Sequence, residues 1–593
     1  LNERSDFTAD RRLVLISLMA VVVGALGAVL AKALLALIAL FTNLFYFQQA
    51  SLASRSPAEH TMGLAAVLVP VVGGLLIGLM ARYGSDRIRG HGIPEAMEAI
   101  LIGRSRMQPR VAVLKPLSSA ISIGSGGPFG AEGPIIMTAG AAGSILAQAF
   151  HLTASERKTL LVAGAAAGMS ATFSTPLAAV LLAVELLLFE LKPRSLVPVA
   201  AASVVAVMLR SLLLGPGPLF PAPAHAALPT SAYASALVIG LSGGLLAAAL
   251  TAAVYAAEDA FQRVPLHWMW WPAIGGLVVG LGGLLQPRAL GVGYDVLGEL
   301  LGGHFVATAL VGLIVVKGII WAVALGSGTS GGVLAPLLMM GGAMGALWSL
   351  ALPGGSASLW ALVGMAAVLG GTMRSPLTGV AFALELTHDV NALPALLVAA
   401  AAAHALTVLV MKRSILTEKV ARRGHHVSRE YSVDPLEALD VEAVMSAPAA
   451  TLPAARRVRE LVADGGALAH HGYPVVDDAG ALLGMVQRSA LLEQWISPHE
   501  VVVEAGTITT AELTCGDLAD RRLLVAYAGE SCREVAARMG QAGVGRLPVL
   551  SDEEPRRLVG VVTLSDLLKA RTRVAEEEEH RERFFGAGPT SAG

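Results

Sequence analysis

The chain has 593 residues, of which 54% are hydrophobic and 15% charged, with a formal net charge of −1 and a mean hydropathy of +0.65. A soluble enzyme of this size carries much more charge, so the composition describes an integral membrane protein, and a net charge near zero argues against nucleic-acid binding. The apolarity stops near Arg423, and beyond it the sequence is that of an ordinary soluble α/β chain, so regions suited to two different solvents are expected.

The first twelve residues run directly into an apolar stretch, residues 13–41, with no small-residue cleavage site, which predicts a retained membrane helix. Arg11 and Arg12 precede it, while Lys412, Arg413, Lys419, Arg422 and Arg423 surround the last apolar segment. Under the positive-inside rule both termini are cytoplasmic. Further apolar segments follow at residues 65–80, 111–123, 135–150, 160–169, 177–191 and 196–214. Several fall short of the ~20 residues that a straight span needs. Short segments broken by glycine and proline mark transporters whose irregular backbone is sheltered by protein or by a water-filled cavity.

A proline-rich stretch, residues 215–229, separates this set from a second one that begins near Ala232. Trp268, Trp270 and Trp271 open one of its segments, as interfacial anchors or as packing. The two sets are copies. Gly164 through Pro176 to Glu185 aligns with Gly364 through Pro376 to Glu385 at an offset of 200 residues. Gly124-Ser125-Gly126 through Pro134 aligns with Gly326-Ser327-Gly328 through Pro336 at 202, and Gly90-His91-Gly92 with Gly291-Val292-Gly293 at 201. Duplicated membrane segments are the usual origin of inverted-repeat transporters, which hold substrate between corresponding broken helices near the midplane. The loops expected to face each other are Gly130-Ala131-Glu132-Gly133-Pro134 and Gly331-Gly332-Val333-Leu334-Ala335-Pro336.

The first of these loops ends the stretch Gly124-Ser125-Gly126-Gly127-Pro128-Phe129-Gly130-Ala131-Glu132-Gly133-Pro134, which sets a carboxylate in a glycine-rich loop before an apolar helical run. Glycines let backbone N–H groups turn toward one point, Pro134 suits a first helical turn, and the helix dipole adds a positive field. Such a place holds an anion without any cation. Glu132 is either the acid of an ion or proton path or simply a helix-start carboxylate held by the same N–H groups.

Gly90-His91-Gly92-Ile93-Pro94-Glu95, Gly130-Ala131-Glu132-Gly133-Pro134 and Gly331-Gly332-Val333-Leu334-Ala335-Pro336, in this order and spacing, resemble the three signature motifs of CLC chloride channels and chloride/proton antiporters. The resemblance implies a mainly α fold, a polytopic membrane domain of two inverted repeats, and a homodimer with one anion pathway per subunit. It also implies that the Glu132 side chain alternately fills and vacates the outer anion site, moved by protonation or voltage. By the same carry-over the anion is bound by groups at His91, Gly92, Gly130, Ala131, Gly133, Val333, Leu334, Ala335 and Leu416. Lys115 matches a basic residue of the family, and either its field favours anions or it snorkels to the interface.

Three departures from the family pattern stand out. His91 takes the place of a serine, and Leu416, in Ser414-Ile415-Leu416-Thr417-Glu418-Lys419, that of a tyrosine, so both hydroxyls expected at the inner gate are gone. Leu416 blocks without donating a hydrogen bond; His91 either donates to the anion or is turned away and satisfied elsewhere. Well-coupled antiporters carry two adjacent glutamates where this chain has Glu185-Leu186, and Leu186 cannot pass a proton. Glu385 occupies the place equivalent to Glu185, which favours a shared structural role such as capping buried backbone groups.

From Asp440 the chain reads helix, strand, strand, helix twice over and resembles a pair of CBS domains, at residues 440–500 and 515–572. The expected organisation is a membrane domain over residues 1–423 with repeats at about 13–214 and 232–423, a linker at 424–439, the small cytoplasmic α/β pair, and a charged, disordered tail at 573–593. In that family a Thr-x-x-Asp pair holds the ribose of an adenine nucleotide. Thr563 and Asp566 keep it, whereas the first copy has Gln487 and Ala490; the alternative for Thr563 and Asp566 is a helix start. Cys515 and Cys532 suggest neither a disulfide framework nor a metal site, and a reducing compartment fits.

These readings converge on chloride transport through a pathway gated by Glu132, passive or loosely proton-coupled, in a bacterial inner membrane, with no required cofactor and an adenine nucleotide as the candidate ligand of the CBS pair. A strict chloride/proton antiporter is the alternative. A CBS sensor on a membrane anchor and a CBS-bearing divalent-cation transporter are alternatives of another class, and the cation transporter would need acidic clusters along its path. No nucleophile with a partner base and no His/Glu metal motif is read from the sequence, so an enzyme is not expected.

Overall fold

The computed structural model describes residues 11–103, 105–220, 225–303, 305–424, 436, 439–463, 469–496, 501–504, 507–510 and 513–579. Two compact units, Ser5–Arg429 and Glu430–Gly593, divide the chain. In the first unit the chain builds α1 (Arg12–Phe47), α2 (Leu68–Tyr83), α3 (Ile93–Leu101), α4 (Pro109–Gly124), α5 (Glu132–Gln148), α6 (Ala154–Phe173), α7 (Pro176–Leu182, continued by a π-helical segment Ala183–Leu188) and α8 (Pro193–Leu213). A second set repeats this order: α9 (Thr230–Gln262), α10 (Trp271–Leu285), α11 (Tyr294–Gly302), α12 (Ala307–Gly326), α13 (Leu334–Trp348), α14 (Ala357–Met373), α15 (Pro376–Thr387) and α16 (Leu393–Val410). A short α17 (Ile415–Arg422) ends the unit.

Among the described residues, seven helical stretches are long and apolar enough to cross a membrane, α1, α8 and α9 among them. Other helices, such as α13 and α14, are shorter and apolar, and α14 is buried at each position from Leu359 to Met373. A helix with no polar face belongs in the interior of a bundle. Small residues bring these backbones together. A Cβ added at Gly164 would lie 2.2 Å from the Ala139 carbonyl oxygen, and one at Gly364 would lie 2.2 Å from that of Gly341, so the same close crossing is built twice.

Contacts between the repeats are reciprocal. A Cβ at Gly74 on α2 would meet the Pro272 carbonyl at 2.3 Å, and one at Gly276 on α10 would meet that of Pro70 at 2.3 Å. Glu185 accepts the N–H groups of Leu377 (3.3 Å) and Thr378 (2.9 Å) at the start of α15, while Glu385 accepts those of Leu177 (2.9 Å) and Ala178 (2.8 Å) at the start of α7. Each carboxylate thus caps the orphan donors of the other repeat's helix. Such an exchange requires a two-fold relation between the repeats, which translation alone does not give.

In the second unit, β1 (Leu452–Pro453) runs parallel to β2 (Gly472–Val476), which pairs antiparallel with β3 (Leu482–Gln487); α18 (Val458–Ala463) and α19 (Arg488–Ile496) complete the half. After a hairpin that the sequence reading did not foresee, β4 (Val501–Glu504) with β5 (Thr507–Thr510), the same plan returns. In it β6 (Ala526–Tyr527), β7 (Arg546–Leu550) and β8 (Leu558–Thr563) pair as before, with α20 (Cys532–Ala542) and α21 (Leu564–Glu579).

The cores do not respect the boundaries read from sequence. Val441, assigned to the first copy, packs in the second core with Val535, Val549 and Val562, and Cys515, assigned to the second, packs in the first with Val458 and Val475. Each half's leading segment crosses to its partner, pinned by bridges such as Ser446 to Val561 and Arg457 to Thr514. The tail is also corrected, because α21 continues as helix through Glu579; residues 580–593 and most of the 424–439 linker lie outside the described residues.

The candidate anion site and its relatives

Three loops meet where α3, α5 and α13 begin. Gly130 N–H donates to Gly332 O (3.1 Å) and Gly332 N–H to Gly130 O (2.9 Å), so the two loops expected to face each other are joined as a short antiparallel bridge. Gly90 N–H donates to Thr329 O (3.2 Å), which ties in the third loop. Ser118 and Ser119 from α4 both reach the Ser330 hydroxyl, at 3.1 and 2.8 Å. Gly92 takes a φ of +91°, and a Cβ there would also press on the Gly133 carbonyl at 2.7 Å, so glycine is required on both counts.

Glu132 opens α5 and is fully buried. Its carboxylate folds into the space that two absent side chains leave: Oε2 would be 1.8 Å from a Cβ on Gly130 and 2.7 Å from one on Gly332. Neither oxygen has a hydrogen-bond partner among the described residues. The N–H groups of Glu132 itself and of Ala335 face the carboxylate within electrostatic reach but stop short of hydrogen-bond geometry. A buried, ionisable acid whose oxygens lack a hydrogen bond of good geometry calls for an explanation beyond packing.

The N–H groups of Ala131, Glu132, Gly133, Val333, Leu334 and Ala335 donate to no acceptor outside their own helices among the described residues. First-turn donors lack intrahelical partners, so these remain open to an anion. Two expected donors are corrected. Gly130 spends its N–H on Gly332, and Gly92 spends its own on Glu95 Oε2 at 2.9 Å, because each sits where its loop must be closed.

His91 is buried beside this junction, and its Nδ1 has no partner among the described residues. Leu416 lies fully buried in the first turn of α17, whose Ile415 carbonyl accepts the Tyr255 hydroxyl at 2.5 Å. Lys115 does not snorkel: it is wholly buried and donates to the Ile88 and Gly90 carbonyls, at 2.8 Å each. Lys317, which the sequence reading missed, is its counterpart, wholly buried on α12 and donating to Gly291 O at 3.0 Å. The acids nearest to it in electrostatic effect are Asp295 first and then Glu132. The signal was available, since Lys317 follows Lys115 by the same 202 residues that align Gly124 with Gly326.

One arrangement was not foreseen at all. His225 Nδ1 meets Asp389 Oδ2 at 2.5 Å, and its Nε2 meets Ser356 Oγ at 2.9 Å. Ser356 is already the cap of α14, accepting Leu359 N–H at 3.2 Å, so this trio ties the segment between the repeats to the second of them. In the other unit Thr563 and Asp566 satisfy each other: the Thr563 hydroxyl donates to Asp566 Oδ2 (2.8 Å) and Asp566 N–H to Thr563 Oγ1 (3.2 Å), at the start of α21. A cavity of about 530 Å³ in that unit is lined instead by Gln487, Arg488, Arg522 and Arg546.

Residues 73–408 match the family model described as voltage gated chloride channel, and residues 515–573 match the CBS domain. The chain belongs to the voltage-gated chloride channel family. A voltage-gated ClC-type chloride channel, ClcB, of Salmonella typhimurium is 32% identical over 378 residues, covering 61% of this chain and 89% of the relative. Among solved structures, a slow cyanobacterial Cl−/H+ antiporter superposes with a TM-score of 0.60 at 21% identity, covering 70% of this chain and 98% of its own. A eukaryotic CLC transporter does so at 0.58 and 18% identity, covering 94% of this chain and 98% of its own. These likenesses establish the fold as that of the CLC family, two inverted helical repeats followed by a CBS region.

Proposed function

We propose that the chain carries chloride through one pathway per subunit, with Glu132 as the gate, passively or with loose coupling to protons. The observation that carries this reading is a buried carboxylate set among helix-start N–H groups of α5 and α13, of which those of Glu132 and Ala335 face it and none is taken by a backbone carbonyl outside its own helix among the described residues. A carboxylate and a chloride ion are rivals for the same donors, so displacement of one admits the other. Membership in a family of chloride channels and transporters supports a transporter rather than an enzyme.

Loose coupling follows from Leu186 and from Glu185. The first is apolar, and the second is held by Leu377 and Thr378. A strict antiporter would need another proton route past Leu186, and water could supply one. Basic residues flanking the membrane domain support a cytoplasmic side for its ends and for the CBS pair, in a bacterial inner membrane, and the family resemblance supports a homodimer. An adenine nucleotide at the CBS pair is the regulatory ligand of this reading. With Thr563 and Asp566 engaged with each other, it requires that pair to open.

The deciding experiment reconstitutes the chain in liposomes and measures chloride flux with and without a pH gradient. Chloride flux that barely moves protons is expected. Chloride movement that drives uphill proton flux would replace this reading by strict exchange, and absence of chloride flux would remove it.

A further inference from the structure

Beside the start of α3 the membrane unit encloses a cavity of about 760 Å³ lined by charged side chains of both signs, among them Arg89, Glu95, Glu258, Lys419 and Arg423. Most of its cations are already claimed. Arg423 pairs with Glu95 (2.8 Å) and Glu98, Lys419 with Glu258 (2.6 Å), and Arg422 with Asp259 and Glu418. Arg87 is exposed.

Arg89 is different. It directly precedes Gly90-His91-Gly92, its Nε is buried without an acceptor, and its guanidinium makes no hydrogen bond or ion pair among the described residues. The charged groups that it feels are Glu258, Asp86 and Arg423. The guanidinium carbon stands over the Trp268 ring, 4.6 Å from its centroid, with Trp271 at 5.9 Å. Gly328 is also close, since a Cβ there would stand 2.7 Å from Nη2 and 2.9 Å from Nε. An indole face holds a cation without consuming its N–H donors, so the planar fork stays open at its edge. Arg89 is half-buried, and a guanidinium whose Nε is shut away from water without an acceptor gains when an acceptor arrives.

We propose that Arg89, seated on Trp268, is an anion-receiving site of this cavity. The inference rests on the anion-transport reading for its physiological meaning, and its ligand is the permeating halide. It differs from the backbone site at Glu132 in using a fixed cation, and it accounts for an arginine that makes no ion pair among the described residues in a cavity where its neighbours are paired.

The test uses the full chain in liposomes, with chloride varied on one face at a time. In Arg89→Gln the half-saturating chloride concentration rises about fivefold on one face only, the order expected for losing one charge-assisted hydrogen bond in a wet site, while flux at saturating chloride falls less than about twofold. Arg89→Lys retains part of the affinity because a point charge remains. Separately, iodide quenches a saturable part of the tryptophan fluorescence of the purified protein, and both Arg89→Gln and Trp268→Phe abolish that part. Unchanged half-saturation in Arg89→Gln, or saturable quenching that survives both substitutions, overturns the proposal. Because quenching is read without transport, a chain that moves no chloride would remove the transport reading and still decide on Arg89.

Discussion

In repeat one the residue that opens α5 is Glu132; at the same place in repeat two, 202 residues later, α13 opens with Leu334. Around these two positions the repeats keep the same parts. Lys115 and Lys317 hold the carbonyls of matching glycine loops, and Glu185 and Glu385 cap one another's partner helices. What differs is the chemistry: Arg89, His91, Glu95 and Glu132 in one repeat stand where Leu290, Val292, Val296 and Leu334 stand in the other. Duplication therefore supplies a two-sided cradle of backbone donors. In the proposed function, the single unmatched carboxylate is what lets that cradle open and close.

Breaking the asymmetry has the largest expected effect. Leu334→Glu puts a second carboxylate at the equivalent helix start, against the same donors, and chloride flux in liposomes falls by about tenfold or more, since two like charges in one dry site block the anion. Gly332→Ala comes next. Its Cβ would stand 2.5 Å from the Gly130 carbonyl oxygen, which is backbone, and 2.7 Å from Glu132 Oε2, so the bridge between the two loops shifts together with the carboxylate, and flux at neutral pH falls about two- to fivefold with a weaker pH response, the size of effect expected of a strained contact of about 1 kcal/mol.

Probing the shared frame has the smallest effect on transport. Glu185→Gln and Glu385→Gln each lose about 1–3 kcal/mol of stability, read by thermal unfolding in detergent, and leave chloride flux nearly unchanged. The Glu185 change costs slightly more, because Glu185 also accepts the Thr378 hydroxyl at 2.5 Å. A loss of proton movement in Glu185→Gln would instead give that residue a transport role and set the two repeats apart at a second point.

Much of this was legible before any coordinates. Glycine and proline at fixed offsets announced the repeats, and the meeting of Gly130 with Gly332 followed from aligning them. The capping role of Glu185 and Glu385 was readable for the same reason, since a residue present in both copies serves what both copies share. Sequence did not show which amides stay open. Gly92 and Gly130 look the same as Ala131 and Val333 until the loop closures that consume their N–H groups are visible. Nor did it show the crossing of Val441 and Cys515 between the CBS cores, because strand-sized apolar segments carry no mark of which sheet they join. Arg89 escaped notice because its meaning lies in Trp268, 179 positions away, and in its making no ion pair among the described residues.

The central claim is that Glu132 competes with chloride for backbone donors supplied by both repeats. The most direct test is chloride flux from liposomes across a range of pH for the wild type and Glu132→Gln, an uncharged side chain of nearly the same shape. Flux through the wild type should rise as pH falls, because protonation releases the donors, whereas flux through Glu132→Gln should be high and independent of pH. Identical pH profiles for the two proteins would contradict the account.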